Sequence, residues 1–282
     1  MNILRNKIVR PGSLKFRVNR FSNLINKNDV AKAYTNNQVI DNDYGLRLFL
    51  NKTYKYTEAS IVGSILSGVV LSHNPELLEY SLHMIGGGFV TGILSIFSFH
   101  FSKHEVKNKK VNYITYYYSV NSFSRKLSYF SIIGSMSMVC APVIAEANIT
   151  GILEPAILMT TLVFGGAIQY AKTRKEGELS SWGPALYGGL LGLIGCGFSS
   201  LGAQLIFGPN EFSTIMQSID IYVGIPIFAG LVAYDTHEAI GMYQNGNPDH
   251  LNCSLALYLD FMNLIIKMIR LLERIRNTNE DD

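Results

Sequence analysis

Five carboxylates stand within or beside long apolar stretches of this chain: Glu146, Glu154, Asp220, Asp235 and Asp260. An ionisable group in such surroundings needs a partner, water or a task, because a bare charge in hydrocarbon costs at least about 2.5 kcal/mol. Asp260 begins a set with Asn263, Lys267 and Arg270 at i, i+3, i+7 and i+10. On an α-helix that spacing draws one polar stripe along a single face. If that stripe meets the end of the segment carrying Asp235, the two carboxyls come close enough to share a proton and titrate as a unit. The same oxygens suit Ca²⁺, so proton and calcium would compete for one place. Asp235 and Asp260 are therefore the candidate pH-sensing, ion-gating and calcium-binding pair, Asn263, Lys267 and Arg270 the supporting stripe, and Glu146 a candidate acid along an ion pathway.

Plainer roles exist for each. Asp235 and Glu238 have the spacing of a capping box, which would make Asp235 the start of a short helix. Asp260 has Lys267 and Arg270 as possible ion-pair partners, although they lie two or more turns away. Glu146 and Glu154 fit a wet interface. Cys140, Cys196 and Cys253 are lone and read as small core side chains, and the histidines lack metal-ligand spacing. The sequon at Asn148 abuts an apolar run and is expected to stay unmodified.

Composition sets the scale on which these residues act. The 282 residues are 48% hydrophobic and only 16% charged, against about 25% charged in soluble domains. A soluble two-domain enzyme is excluded, and with one Trp and no basic, aromatic-studded patch so is a nucleic-acid partner. Seven apolar runs are candidate membrane segments: Tyr54–Leu71, Leu77–Phe101, Leu127–Ala147, Ile152–Ala171, Trp182–Phe207, Ile215–Tyr234 and Leu251–Ile266. The lipid bilayer is the expected first partner.

Of the 24 Lys and Arg, eleven lie at or before the start of the first run, six between the second and third, three between the fourth and fifth, and four after Ile266. The connections after the first, third and fifth runs contain none, which places the N-terminus in the cytoplasm. A full crossing by the seventh run puts Arg270, Arg274 and Arg276 on the opposite side, whereas a re-entrant path keeps them cytoplasmic; sequence leaves both open. Residues 1–28 are basic with no acid, as a cytoplasmic tail or a mitochondrial transit peptide would be. The organisation read here is a basic, partly disordered region over 1–53, a polytopic domain over 54–272 and a charged tail over 273–282, unstructured from Asn277. Glycines at 86–88, 165–166 and 188, 189, 192, 195 and 197 are expected at close helix contacts.

Residues 221–240, IYVGIPIFAGLVAYDTHEAI, followed by GNPDH at 246–250 and LYLDFMNL at 257–264, resemble the Bax inhibitor-1 family, and the likeness extends back through 141–148 and 160–164. The resemblance implies an all-α membrane bundle with six helices around a central C-terminal hydrophobic helix. It also implies a pH-sensitive calcium leak across the endoplasmic reticulum membrane and suppression of apoptosis. It assigns Asp235 and Asp260 to a di-aspartyl pH sensor and Glu146 to a recurrent acidic position. His237 stands where Gln is common, Asp220 where a neutral residue is usual, and the second run lacks an Arg found in some bacterial relatives. A mitochondrial inner-membrane branch shares Tyr-Asp-Thr and remains the alternative location. Cell-death regulatory membrane proteins are implied partners, and no cofactor is expected beyond Ca²⁺ as a permeant or regulatory ion. Two other functions compete: a non-conducting scaffold, and an intramembrane aspartyl protease, which the absence of Gly-x-Gly before Asp260 disfavours.

Overall fold

The computed structural model describes residues 27–111, 114–175 and 177–281, so all but the last two residues of the basic 1–28 stretch lie outside the described residues. The chain runs through α1 (Lys27–Ser72), α2 (Pro75–Leu78), α3 (Ser81–Phe101), a hairpin of β1 (His104–Val111) and β2 (Ile114–Asn121), α4 (Phe123–Ile149) and α5 (Leu153–Lys172). A 3₁₀ turn at Ser180–Trp182 then leads into α6 (Gly183–Phe207), α7 (Glu211–Tyr222), α8 (Gly224–Gln244) and α9 (His250–Asp281). All seven apolar runs fall in helices. Among the described residues, Ser81–Phe101, Phe123–Ile149, Ser180–Phe207 and Glu211–Gln244 are long and apolar enough to cross a membrane. Phe89, Leu94 and Phe97 of α3 and Leu191, Phe198 and Leu205 of α6 are exposed. Apolar side chains of that size facing outward on helices that satisfy their own backbone belong against lipid. The chain is a multi-pass, all-α membrane bundle.

Local chemistry sets the breaks. Ser122 starts α4 by accepting from the Arg125 amide. Asn210 and Ser213 close a reciprocal capping box at the start of α7. The sixth run is divided at Val223, the shared terminus of α7 and α8, three residues before Pro226, which has no amide proton to continue a ladder. Boundary 53/54 falls inside α1, which continues across it without interruption.

The core lies where α4, α8 and α9 meet, with α1, α5 and α7 also packed on α9. From Cys253 to Ile269 no residue of α9 is exposed. Its partners are polar as well as apolar. Thr57 and Tyr129 both bond the Ser254 hydroxyl, at 3.1 and 2.8 Å, and Tyr258 bonds Ser64 at 2.7 Å. Hydroxyl pairs Thr91–Ser135, Ser95–Ser131 and Ser98–Ser128 line the seam of α3 and α4.

Three expectations need correction. The Gly188 and Gly192 pair does not lie at a packed contact: a Cβ there, or at 86, 87, 165, 166, 195 or 197, would meet nothing within 4 Å. Close approach occurs instead at Gly88, Gly189 and at glycines outside those clusters, such as Gly68, where a Cβ would fall 2.5 Å from Ile144. The tail is not unravelled from Asn277, since α9 continues to Asp281. The basic connection between the second and third apolar runs, read as a loop, is the β-hairpin, whose strands pair from His104 with Asn121 to Val111 with Ile114.

Candidate functional site

Asp235 lies in the middle of α8, with helix on both sides, so its capping role is overturned. Glu238 instead accepts from the Ser180 hydroxyl at 3.2 Å. Asp260 lies in the buried stretch of α9 and is 6% exposed. The two carboxyls lie close enough to interact with each other, and Asp260 Oδ2 has no hydrogen-bond partner among the described residues. Tyr187 of α6 stands within electrostatic reach of both and packs edge-on against Tyr234 at 5.8 Å.

The rest of the stripe serves elsewhere. Asn263 bonds back to the Leu259 carbonyl at 2.8 Å. Lys267 meets Asp220 Oδ1 at 2.5 Å and Arg270 meets Asp220 Oδ2 at 3.3 Å, so neither is the partner of Asp260. Lys267 reaches Asp220 by passing over Gly224, where a Cβ would lie 2.6 Å from its Cε. Arg274 bonds Ser218 and Arg276 bonds the Thr150 carbonyl. Asp220, in sequence one of the five carboxylates beside apolar stretches and a departure from the family pattern, is thus the counter-charge of the α9 basic end.

These contacts fix where the two ends of the seventh segment sit within the bundle. His250 sits against the hairpin and Arg276 sits at the Thr150 end, joined by one unbroken helix of 32 residues, about 48 Å long. Glu146 is exposed in the last turns of α4, one turn before Thr150, and so lies towards the Arg276 end. Glu154 is exposed in the first turn of α5.

At the other end of α9, sequence reasoning missed a clamp. Arg125 donates to the Phe99 and Ser102 carbonyls at 3.3 and 3.2 Å and to Asp249 at 2.5 Å, with its guanidinium 4.1 Å from the Phe99 ring centroid. Asp249 also accepts from the Asn252 amide, capping α9. Beside it His250 bonds Ser119 of β2, and His104 reaches the Pro248 carbonyl at 3.2 Å. Burial, with Lys52, Lys126, His104 and Arg125 nearby, pushes the His250 imidazole down to about 3. A lone acid in GNPDH was the available signal for the clamp; its partner lies 124 residues away.

Among the described residues no group of three or more His, Cys, Asp or Glu is placed to hold a metal ion. Two carboxylates supply too few of the roughly six to eight oxygens of a resident calcium site, so Ca²⁺ is considered below only as an ion in transit.

Comparison with known proteins places this geometry. Protein lifeguard 4 of Mus musculus is 28% identical over 146 residues, covering 52% of this chain and 56% of the mouse protein. Bax inhibitor 1 of Saccharomyces cerevisiae is 28% identical over 171 residues, covering 59% of this chain and 54% of the yeast protein. Golgi anti-apoptotic protein of Vaccinia virus is 30% identical over 139 residues, 49% of this chain and 54% of the viral protein. The matches thus span little more than half the length of these relatives. No solved structure matches the chain. The family Bax1-I, inhibitor of apoptosis-promoting Bax1, matches residues 46–277, the span that holds the bundle, both aspartates and both clamps on α9. The chain belongs to that family.

Proposed function

We propose that this protein is a pH-sensitive calcium leak of the endoplasmic reticulum membrane whose physiological outcome is suppression of cell death. One observation carries the mechanism: the Asp235 carboxyl on α8 and the Asp260 carboxyl on α9 lie close enough to interact. With a proton between them the helices are held together there. Loss of that proton sets two negative charges against each other in a site with little water, which drives α8 from α9 and leaves acidic oxygens to accompany a passing cation. Glu146 is the acid we assign to the far end of the path. The names of the yeast and viral relatives support the cell-death outcome, and the absence, among the described residues, of a third ligating group beside the aspartates favours a gate over a storage site. We take the pair as non-catalytic.

Calcium flux from dye-loaded phosphatidylcholine liposomes, at pH values between about 5.5 and 8, tests this. Wild-type flux depends on pH, and Asp235→Asn or Asp260→Asn removes the dependence. An unchanged pH response in both variants defeats the mechanism. A second reading, a non-conducting scaffold for cell-death membrane proteins, is favoured by the open glycine face of α6 at 188, 192 and 195. Flat traces from wild-type protein at every pH would favour it.

A further inference from the structure

A cavity of about 920 Å³ opens at the hairpin end of the bundle, between α1, the connection from Lys172 to Ser180 and the last turns of α8. It is separate from the aspartate contact, and the calcium reading leaves its chemistry unused. Its lining charges are Arg47, Lys172 and Arg174 against the single carboxylate of Glu238. For a cation pathway that is the wrong sign. For an oxyanion it is the right one.

The cations are placed rather than merely present. Lys172 Nζ is 4.8 Å from the centroid of the Tyr54 ring, which is itself part of the wall. The Arg174 guanidinium rests 4.3 Å from the Tyr170 ring while bonding Glu178 at 3.3 Å. Between them the wall holds two polar atoms that are buried and without a hydrogen-bond partner among the described residues: Tyr54 Oη and His237 Nδ1. His237 is only 5% exposed and lines the cavity. Buried hydroxyls and imidazole nitrogens are nearly always paired in proteins, so two unpaired ones on one wall, beneath cations, mark a place shaped for an acceptor. Both atoms sit just behind the wall, so a phosphoryl oxygen neutralised by Lys172 and Arg174 accepts from them once the two side chains turn towards it. The volume sits near the top of the roughly 300–1,000 Å³ of small-molecule sites, far more than a bare phosphate fills. Asn51, Asn245 and Asn247 line the remainder and suit hydroxyl groups.

We infer that this cavity binds a phosphate monoester of a polyol, presented either on a lipid headgroup at this end of the bundle or on a soluble molecule. The test uses full-length protein in phosphatidylcholine nanodiscs and two probes: soluble myo-inositol monophosphate, and nanodiscs containing phosphatidylinositol monophosphate. Trp182, the chain's one tryptophan, stacks on the Tyr170 ring at 6.0 Å, so movement of Arg174 changes its emission. Equilibrium dialysis with labelled soluble probe gives a readout independent of that residue. A saturable response to the soluble probe is expected if the ligand is soluble, and a response confined to the lipid probe if it is a headgroup. Lys172→Ala, at an exposed position, and His237→Phe each weaken the response by about tenfold or more, while His237→Gln, which keeps a donor, stays within about threefold of wild type. No saturable response to either probe, or a Lys172→Ala protein that binds as wild type, overturns the inference.

Discussion

Asp249 combines two tasks that substitution can separate. Its carboxylate pairs with Arg125 where the side chains are 9% and 11% exposed, and it caps α9 through the Asn252 amide. Asp249→Asn keeps a capping oxygen but removes the charge opposite Arg125. The Arg125 guanidinium then keeps only two carbonyls and the Phe99 face for a buried positive charge. Breaking a buried pair in this way costs about 3–5 kcal/mol. The exposure that remains and the two carbonyls place the expected value at the lower end, about 3 kcal/mol. Asp249→Ala loses the cap as well, adding about 1 kcal/mol. Arg125→Met with Asp249→Asn removes both charges and costs less than the two single changes summed, giving a coupling of about 1–3 kcal/mol. Equilibrium unfolding in mixed detergent micelles, titrated with dodecyl sulfate, measures wild type and all four variants. A cost below about 1 kcal/mol for Asp249→Asn, or additive single changes, would refute the assignment of this pair as the clamp on α9.

Three further outcomes follow from the geometry. Asp220→Asn strands Lys267, which is 10% exposed, and costs about 3 kcal/mol in the same assay, whereas Lys267→Met leaves Asp220 with Arg270 and costs less than half as much; equal costs would contradict the arrangement. Gly45→Ala puts a methyl 1.7 Å from Tyr243 Oη and 2.7 Å from Tyr116 Cβ, so α1 and the hairpin must separate, at about 2 kcal/mol or more, and Tyr243→Phe in the same chain returns part of it; hairpin amide exchange reports the separation. His250, held neutral when folded, takes up a proton on unfolding once the pH drops below about 6.5, so its contribution to stability is complete above that value and declines towards pH 3, by about 2 kcal/mol between pH 6.5 and 5. His250→Gln should flatten that part of the stability profile, and an unchanged slope would show that other groups set it.

Much of the frame was legible in the sequence because burial in lipid leaves a coarse mark: long uncharged runs, with Lys and Arg confined between them. The approach of Asp235 and Asp260 was legible for a related reason, since a carboxylate in an apolar helix must find company and few partners were on offer. What stayed hidden was pairing across distance. Nothing local joins Asp220 to Lys267, 47 residues on, or Arg125 to Asp249. The hairpin was obscured by the lysines of β1, although Ile114, Thr115, Tyr116, Tyr117, Tyr118 and Val120 are β-formers. The glycine stripe misled because a small residue in an apolar helix admits either a neighbouring helix or lipid, and spacing alone does not choose.

The fastening of α9 has a mechanical consequence. At one end Asp249 and His250 tie it to α4 and the hairpin; at the other Lys267, Arg270, Arg274 and Arg276 tie it to α7 and the turn after α4. A rod secured at both ends cannot act as a piston. If Asp235 and Asp260 separate, α9 would be the fixed reference and α8 the helix that travels. The N-terminal end of that helix is at Val223, where it meets α7, and Asp235 lies about three turns away. A tilt of about 5° about that end would carry the Asp235 carboxyl about 1.5 Å, so the fastened helix would hold the reading point and its neighbour would move the pointer.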